Sequence, residues 1–253
     1  MTKTIAIAGK GGTGKTTIAA LLVNFLSENG EVLAIDADPS ENLNMALGVP
    51  LLKTVGGVRE RMTQNITEGS FDQTIAKQDY LEGKIMESVI EEDKFDLLAM
   101  GRPEGPGCYC GANHMLRASI DKLAGKYDYV VIDCEAGMEH VSRQTTRDVD
   151  VLLLLTDPTI RGIATAKRMR DLMADLRTTV GEVWLVVNRI KGELSENIKS
   201  AVEETGLKTV ALISDDNYLA EVEAEGKPIT ELSAESSLWQ AMKELADRIT
   251  SQE

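Results

Sequence analysis

The sequence predicts an α/β fold: a mostly parallel central sheet of about seven strands with helices on both faces. Three observations carry that expectation. First, apolar runs of strand length recur along the chain: Thr4–Ala8, Glu31–Asp36, Phe95–Met100, Asp128–Asp133, Val151–Thr156, Glu182–Asn188 and Thr209–Ile213. They are nearly continuous rather than alternating, the pattern of strands buried on both faces. Second, segments with helical spacing lie between several of them, as parallel strand crossovers require. Third, the first strand leads directly into Gly9-Lys10-Gly11-Gly12-Thr13-Gly14-Lys15-Thr16-Thr17 and then into a helix. Loops at the carboxyl ends of such strands carry the functional site.

The chain has 253 residues, enough for one α/β domain with a full core. No linker, internal repeat or low-complexity tract divides it, so residues 1–253 are expected to form a single domain. Hydrophobic residues make up 43%, which supports a packed interior, while aromatics at 4% offer little for stacking single-stranded nucleic acid. The net charge of −14 opposes nonspecific binding to DNA or to anionic membranes. Neither nucleic acid nor membrane is therefore expected as a partner. The three cysteines, Cys108, Cys110 and Cys134, with no secretory leader, read as reduced thiols of a cytoplasmic protein. No window is long and apolar enough to be a transmembrane helix.

In order, helices are expected over Ile18–Leu26, in two or three pieces between residue 44 and about 95, and over Ala112–Lys126. Others follow near Ile160–Leu176, Ser195–Glu204, Tyr218–Glu225 and Ser236–Ile249. Thr54-Val55-Gly56-Gly57 reads as a turn, since Gly-Gly readily supplies positive φ. The segment from Gly101 to Gly111 is broken by glycine and proline and contains Cys108-Tyr109-Cys110.

The glycine loop fits G-x-x-x-x-G-K-[ST], and its strand–loop–helix setting is what makes the match meaningful. Its glycines let backbone N–H groups turn inward toward phosphate oxygens, and the following helix adds its positive N-terminus. Gly11, Gly12, Thr13, Gly14, Lys15, Thr16 and Thr17 are the expected phosphate cradle for ATP or ADP. Lys15 would reach the β- and γ-phosphates, and Thr16 would ligate Mg²⁺. The apolar strand ending in Asp133, followed by Gly137, has the Walker B arrangement. There Asp133 would serve the magnesium shell and the Gly137 N–H would face the γ-phosphate. Asp36 and Asp38 end the second strand on the same edge. An aspartate after a strand is also a common turn or helix-capping residue.

The additional lysine, Lys10, makes the loop resemble the deviant Walker A motif, K-G-G-x-G-K-[ST], of the MinD, ParA and nitrogenase-iron-protein class of P-loop ATPases. That resemblance implies a single-domain P-loop NTPase that hydrolyses ATP as a nucleotide-dependent homodimer. Lys10 would cross the interface to the partner's nucleotide, Asp38 would orient the attacking water, and Asp36 would approach the Mg²⁺. Asn188, followed by Arg189 at the end of the sixth strand, would read the adenine ring. The class often has a proline after the next strand to complete the base pocket, whereas here that stretch reads Ile213-Ser214-Asp215-Asp216.

Cys108 and Cys110 are too close in sequence for an unstrained disulfide but suited to a soft or borderline metal. Two thiolates are too few for a closed site, and a twofold dimer would supply four, for Ni²⁺ or competing Zn²⁺. His114 reads as a helix-surface residue and Cys134 as a packed thiol. The deviant P-loop, the switch aspartates, Cys-x-Cys and Asp133-x-x-x-Gly137-Met138-Glu139-His140 together resemble the CooC/AcsF family of nickel-insertion ATPases. This resemblance covers essentially the whole chain. It implies a metallochaperone serving carbon monoxide dehydrogenase or acetyl-CoA synthase. Two rivals remain: an iron–sulfur reductase of the nitrogenase-iron-protein type, for which Cys134 precedes rather than follows Gly137, and a positioning ATPase of the MinD or ParA kind. The last helix is amphipathic but of mixed charge, unlike a basic membrane anchor.

Overall fold

The computed structural model describes residues 1–72, 74–101, 118–136, 148–173 and 179–251. Its centre is one eight-stranded sheet. The strands are β1 (Lys3–Gly9), β2 (Val32–Asp36), β3 (Ile90–Glu91), β4 (Asp96–Ala99), β5 (Tyr129–Asp133), β6 (Asp148–Thr156), β7 (Thr179–Ile190) and β8 (Lys208–Ser214). Their order is β3-β4-β2-β5-β1-β6-β7-β8. Every pairing is parallel except β3 with β4. The expected seven strands are present, and β3 is an addition. It is two residues long, too short for an apolar period to announce it, and it lies antiparallel along the edge of β4.

Alternate residues of each strand feed two cores. Ile5, Ile7, Val131, Leu153 and Trp184 face one side, against α1 (Lys15–Leu26), α2 (Leu43–Leu47) and α9 (Ser237–Thr250). Ala6, Ala8, Ile132, Leu152 and Leu185 face the other. That side is covered by α3 (Val55–Thr67), α4 (Lys77–Met86), helical residues 118–124 (α5) and α6 (Ile160–Met173). The last two helices to place are α7 (Glu196–Glu203) and α8 (Asn217–Glu225). Helices on both faces explain the continuous apolar strands.

The middle of α1 is apolar nearly all round, with Ile18 to Val23 fully enclosed between the sheet and α9. Phe25 of α1 meets Trp239 of α9 edge to face, with centroids 4.7 Å apart. The apolar stripe of α9 (Leu238, Met242, Leu245, Ala246 and Ile249) is buried in this same core. Among the described residues no helix is long and apolar enough to cross a membrane.

Among the described residues between 43 and 95 there are three helices, α2, α3 and α4. Thr54-Val55-Gly56-Gly57 is not a turn, as its glycines suggest, but the start of α3. Thr54 caps that helix by accepting the Gly57 N–H at 3.2 Å, and the Gly56 N–H donates to the Met100 carbonyl at 2.8 Å. A good N-cap and a carbonyl from the end of β4 outweigh the poor helix propensity of two glycines.

Candidate nucleotide and magnesium site

The glycine loop is held at both ends. At Gly9 a Cβ would lie 2.4 Å from the Leu155 carbonyl oxygen, so close strand approach there requires glycine. Gly12 and Gly14 have φ of 78° and 92°, in the left-handed region. Gly14 directly precedes α1, whose first turn contains no acidic residue to offset its positive end. The Thr13 hydroxyl donates to the Lys10 carbonyl at 2.9 Å across the loop. Lys15 is buried, whereas Lys10, Gly11 and Gly12 are exposed. Thr17 follows Thr16 in the first turn of α1.

Two carboxylates stand beside this loop. Asp36 on β2 and Asp133 on β5 are register partners on adjacent strands, and each is 1% exposed. The Thr16 hydroxyl donates to Asp133 Oδ2 at 2.6 Å. Asp133 Oδ1 is buried and has no hydrogen-bond partner among the described residues. Burial pushes the Asp133 carboxyl up to about 7; the Thr16 bond opposes this and the nearby Asp36 charge adds to it. Burial also raises Asp36 to about 6, against the main-chain N–H groups of Leu43 and Asp38. Those groups donate to its Oδ2 and Oδ1 at 2.9 and 3.0 Å. A buried orphan carboxylate oxygen beside a threonine hydroxyl and a second carboxylate suits a hard divalent cation such as Mg²⁺.

Asp38 is half-buried. Its Oδ1 accepts the Ser40 N–H at 2.8 Å and also the Ser40 hydroxyl. It thus occupies a turn, at the same edge as Asp36. Ser40 and the Leu43 N–H are parts of this edge that sequence reading did not single out. The Asp-x-Asp-x-Ser spacing was the available signal, because aspartate side chains tend to accept from N–H groups two residues on.

Asn188 is 6% exposed and braces the loop from β7. Its Nδ2 donates to the Thr13 carbonyl at 2.9 Å, and its Oδ1 accepts the Arg189 N–H at 2.9 Å. The β7–β8 register slips between Val187 and Ile190, and Arg189 takes φ 61°. This bulge aims Asn188 at the loop. An isolated Asn-Arg pair gives no sequence sign of it. Truncating Asn188 to alanine leaves the Thr13 carbonyl without this donor. The nucleotide-free protein is expected to lose about 1–2 kcal/mol in chemical denaturation. A side chain that served only an adenine ring would leave that stability unchanged.

Cys108, Cys110, His114 and Gly137 lie outside the described residues. Cys134 is buried beside Asp133, its thiol pushed up to about 12 by burial, in keeping with a packed thiol. Among the described residues no group of three or more His, Cys, Asp or Glu side chains is arranged to hold a metal ion.

A family model described as the CobQ/CobB/MinD/ParA nucleotide binding domain matches residues 4–229. The chain belongs to that family. Its members bind and hydrolyse ATP, and this protein is accordingly a MinD/ParA-class ATPase. It is 41% identical over 246 residues to an uncharacterised ATP-binding protein of Methanocaldococcus jannaschii, covering 97% of each chain. It is 35% identical over 185 residues to the carbon monoxide dehydrogenase accessory protein CooC of Rhodospirillum rubrum, covering 68% of this chain and 69% of that one. The septum site-determining protein MinD of Pyrococcus horikoshii, solved with Mg-ADP, superposes with a TM-score of 0.70 at 23% identity. That superposition covers 99% of this chain and 97% of the other. MinD/ParA-class ATPases commonly dimerise, and nucleotide with Mg²⁺ is typical of them.

Proposed function

We propose that this family member is an ATP-driven metallochaperone that carries Ni²⁺ between two subunits for insertion into carbon monoxide dehydrogenase or acetyl-CoA synthase. The observation that carries the proposal is the 35% identity to a carbon monoxide dehydrogenase accessory protein, in a chain that contains Cys108-Tyr109-Cys110. Two copies of that pair supply the four thiolates a soft-ligand site wants. Residues 1–253 act as one domain in this reading.

The loop from Gly11 to Thr17 binds the phosphates, with Lys15 and the N-terminus of α1 facing their charge. Thr16, Asp36 and Asp133 would hold the Mg²⁺, which would supply Lewis-acid neutralisation of the phosphate charge. Asp38 orients the attacking water through the carboxylate oxygen that Ser40 does not occupy, and Gly137 offers its N–H to the γ-phosphate. Asn188, bracing Thr13, keeps one amide hydrogen and one lone pair for the adenine ring, beside Arg189. Lys10 reaches the partner subunit's nucleotide. Hydrolysis opens the dimer and releases the metal to the client enzyme.

The test is equilibrium Ni²⁺ binding by the Cys108→Ala/Cys110→Ala protein. Stoichiometric binding of one ion per dimer is expected to disappear while ATP binding is retained. Nickel binding that survives the double substitution refutes the site. Two further measurements address the rival readings. Brown iron–sulfur absorbance in anaerobically purified protein would favour a reductase, although Cys134, being buried, is poorly placed to ligate a cluster. ATP-dependent cosedimentation with vesicles or DNA would favour a positioning ATPase.

A further inference from the structure

Thr13 lies inside the glycine loop and is 2% exposed. Its carbonyl and its hydroxyl are both engaged, with different partners. The carbonyl accepts the Asn188 Nδ2–H of β7 at 2.9 Å, and the hydroxyl donates to the Lys10 carbonyl at 2.9 Å. Gly12 and Gly14 stand on either side in left-handed conformations, which lets residue 13 fold back on residue 10. At the start of the loop, Gly9 is fixed by its close approach to Leu155 of β6. Between these anchors the chain is lightly packed. Lys10, Gly11 and Gly12 are exposed. Among the described residues, a Cβ on Gly12 would meet nothing within 4 Å, and one on Gly11 would meet only the Ala136 Cβ at 3.9 Å. Among the described residues, the Thr13 hydroxyl is the only side-chain group that bonds to the Lys10 main chain.

We propose that Thr13 is a positioning residue for Lys10. Its hydroxyl, tied through the Asn188 bond to the sheet, holds the backbone from which the Lys10 ammonium reaches the partner subunit's nucleotide. The inference rests on the cross-subunit reading of Lys10. A bond to the Lys10 carbonyl fixes the peptide plane that follows this residue, and with it ψ at Lys10. The direction in which the side chain leaves the loop depends on that same backbone. A lysine stem is long and flexible, so a fixed starting point narrows where its ammonium can go. A buried hydroxyl needs an acceptor in any event. Here the acceptor belongs to an exposed residue, where water can replace the donor. Orientation, more than stability, is therefore what this bond supplies.

Thr13→Val keeps the side-chain shape and removes the hydroxyl, whereas Thr13→Ser keeps the hydroxyl. Steady-state ATP hydrolysis with Mg²⁺ is measured on the full chain. Thr13→Val is expected to lower kcat about tenfold or more, with KM for ATP within about twofold of the unaltered chain. Thr13→Ser should restore kcat to within about twofold. In a Lys10→Ala background, Thr13→Val should lower kcat no further. A hydroxyl that only shaped the phosphate cradle would raise KM, and its loss would cost turnover whether or not Lys10 were present. Unchanged kcat in Thr13→Val beside an impaired Lys10→Ala overturns the inference and leaves the cross-subunit reading standing. A further loss in the double variant, or a raised KM at unchanged kcat, also overturns it. Normal turnover by Lys10→Ala removes the cross-subunit reading and this inference with it. Thr13→Ala deletes the same bond with a smaller side chain and must give the same pattern. Thermal unfolding of each variant beside the unaltered chain keeps a loss of kcat from being an unfolding effect.

Discussion

Asp133→Asn is expected to raise the melting temperature of the nucleotide-free protein while lowering magnesium-dependent ATP hydrolysis by about a hundredfold or more. Both effects come from the same atoms. Asp133 is 1% exposed, one of its oxygens accepts from Thr16, and the other has no partner among the described residues. Burial pushes its carboxyl up to about 7. A folded-state value raised above the unfolded one means that the folded protein prefers the protonated form. The carboxyl therefore costs no stability below about pH 4. Its penalty grows as pH rises toward 7 and is complete above that. Asparagine keeps an oxygen for Thr16 and removes the charge. Thermal unfolding should shift up by about 5 °C at pH 8 and hardly at pH 4. The loss of activity follows because an amide replaces the anionic oxygen available to the cation. Unchanged melting at pH 8 would show that the carboxylate is already satisfied in the nucleotide-free protein. Undiminished hydrolysis would remove Asp133 from the magnesium shell.

The second large effect separates the two lysines of the glycine loop. Lys15→Ala is expected to weaken ATP binding severely, since Lys15 is buried at the start of α1, where the proposed reading puts the phosphates. Lys10→Ala is expected to bind ATP nearly normally, yet to fail to dimerise with it and to lose about a thousandfold in turnover. Lys10 is exposed, and the contact that stabilises the loop there uses its main-chain carbonyl, which alanine retains. In the proposed reading its ammonium serves a second subunit, as a cationic group supplied in trans does in related phosphoryl transfer. Calorimetry with ATP, size-exclusion with a slowly hydrolysed analogue and steady-state hydrolysis distinguish the two variants. Normal turnover by Lys10→Ala would eliminate the cross-subunit role. Loss of ATP affinity in that variant would instead place Lys10 at its own nucleotide.

The sheet was legible because its strands are buried on both sides, so composition alone marks Thr4–Ala8 or Val151–Thr156 without any help from periodicity. The edge strand β3 was not, since two residues held by β4 need no pattern of their own. Thr54-Val55-Gly56-Gly57 misled for a different reason. The Met100 carbonyl that receives the Gly56 N–H comes from a strand more than forty residues away, beyond any local window. At the candidate site, residue types pointed to one edge of the sheet, and the structure brings them together there: Asp36 and Asp133 are register partners, and Thr16 reaches one of them. What could not be read was how each polar group is engaged. That Asn188 holds the Thr13 carbonyl depends on a bulge at Arg189, and that Asp38 turns back on Ser40 is one of two local outcomes open to any such aspartate.

Gly101 is the last described residue before the stretch containing Cys108 and Cys110, and it has φ 70°. A methyl group there would stand 2.5 Å from Thr54 Oγ1 and 3.2 Å from Glu41 Oε1. Glu41 lies three residues beyond Asp38, and its N–H donates to the Asp38 carbonyl at 3.0 Å. Asp36, in turn, clamps the Leu43 N–H at 2.9 Å. The side chains of Thr54 and Glu41 therefore fill the space that any Cβ at Gly101 would need, so the start of α3 and the segment after Asp38 share one boundary at that glycine.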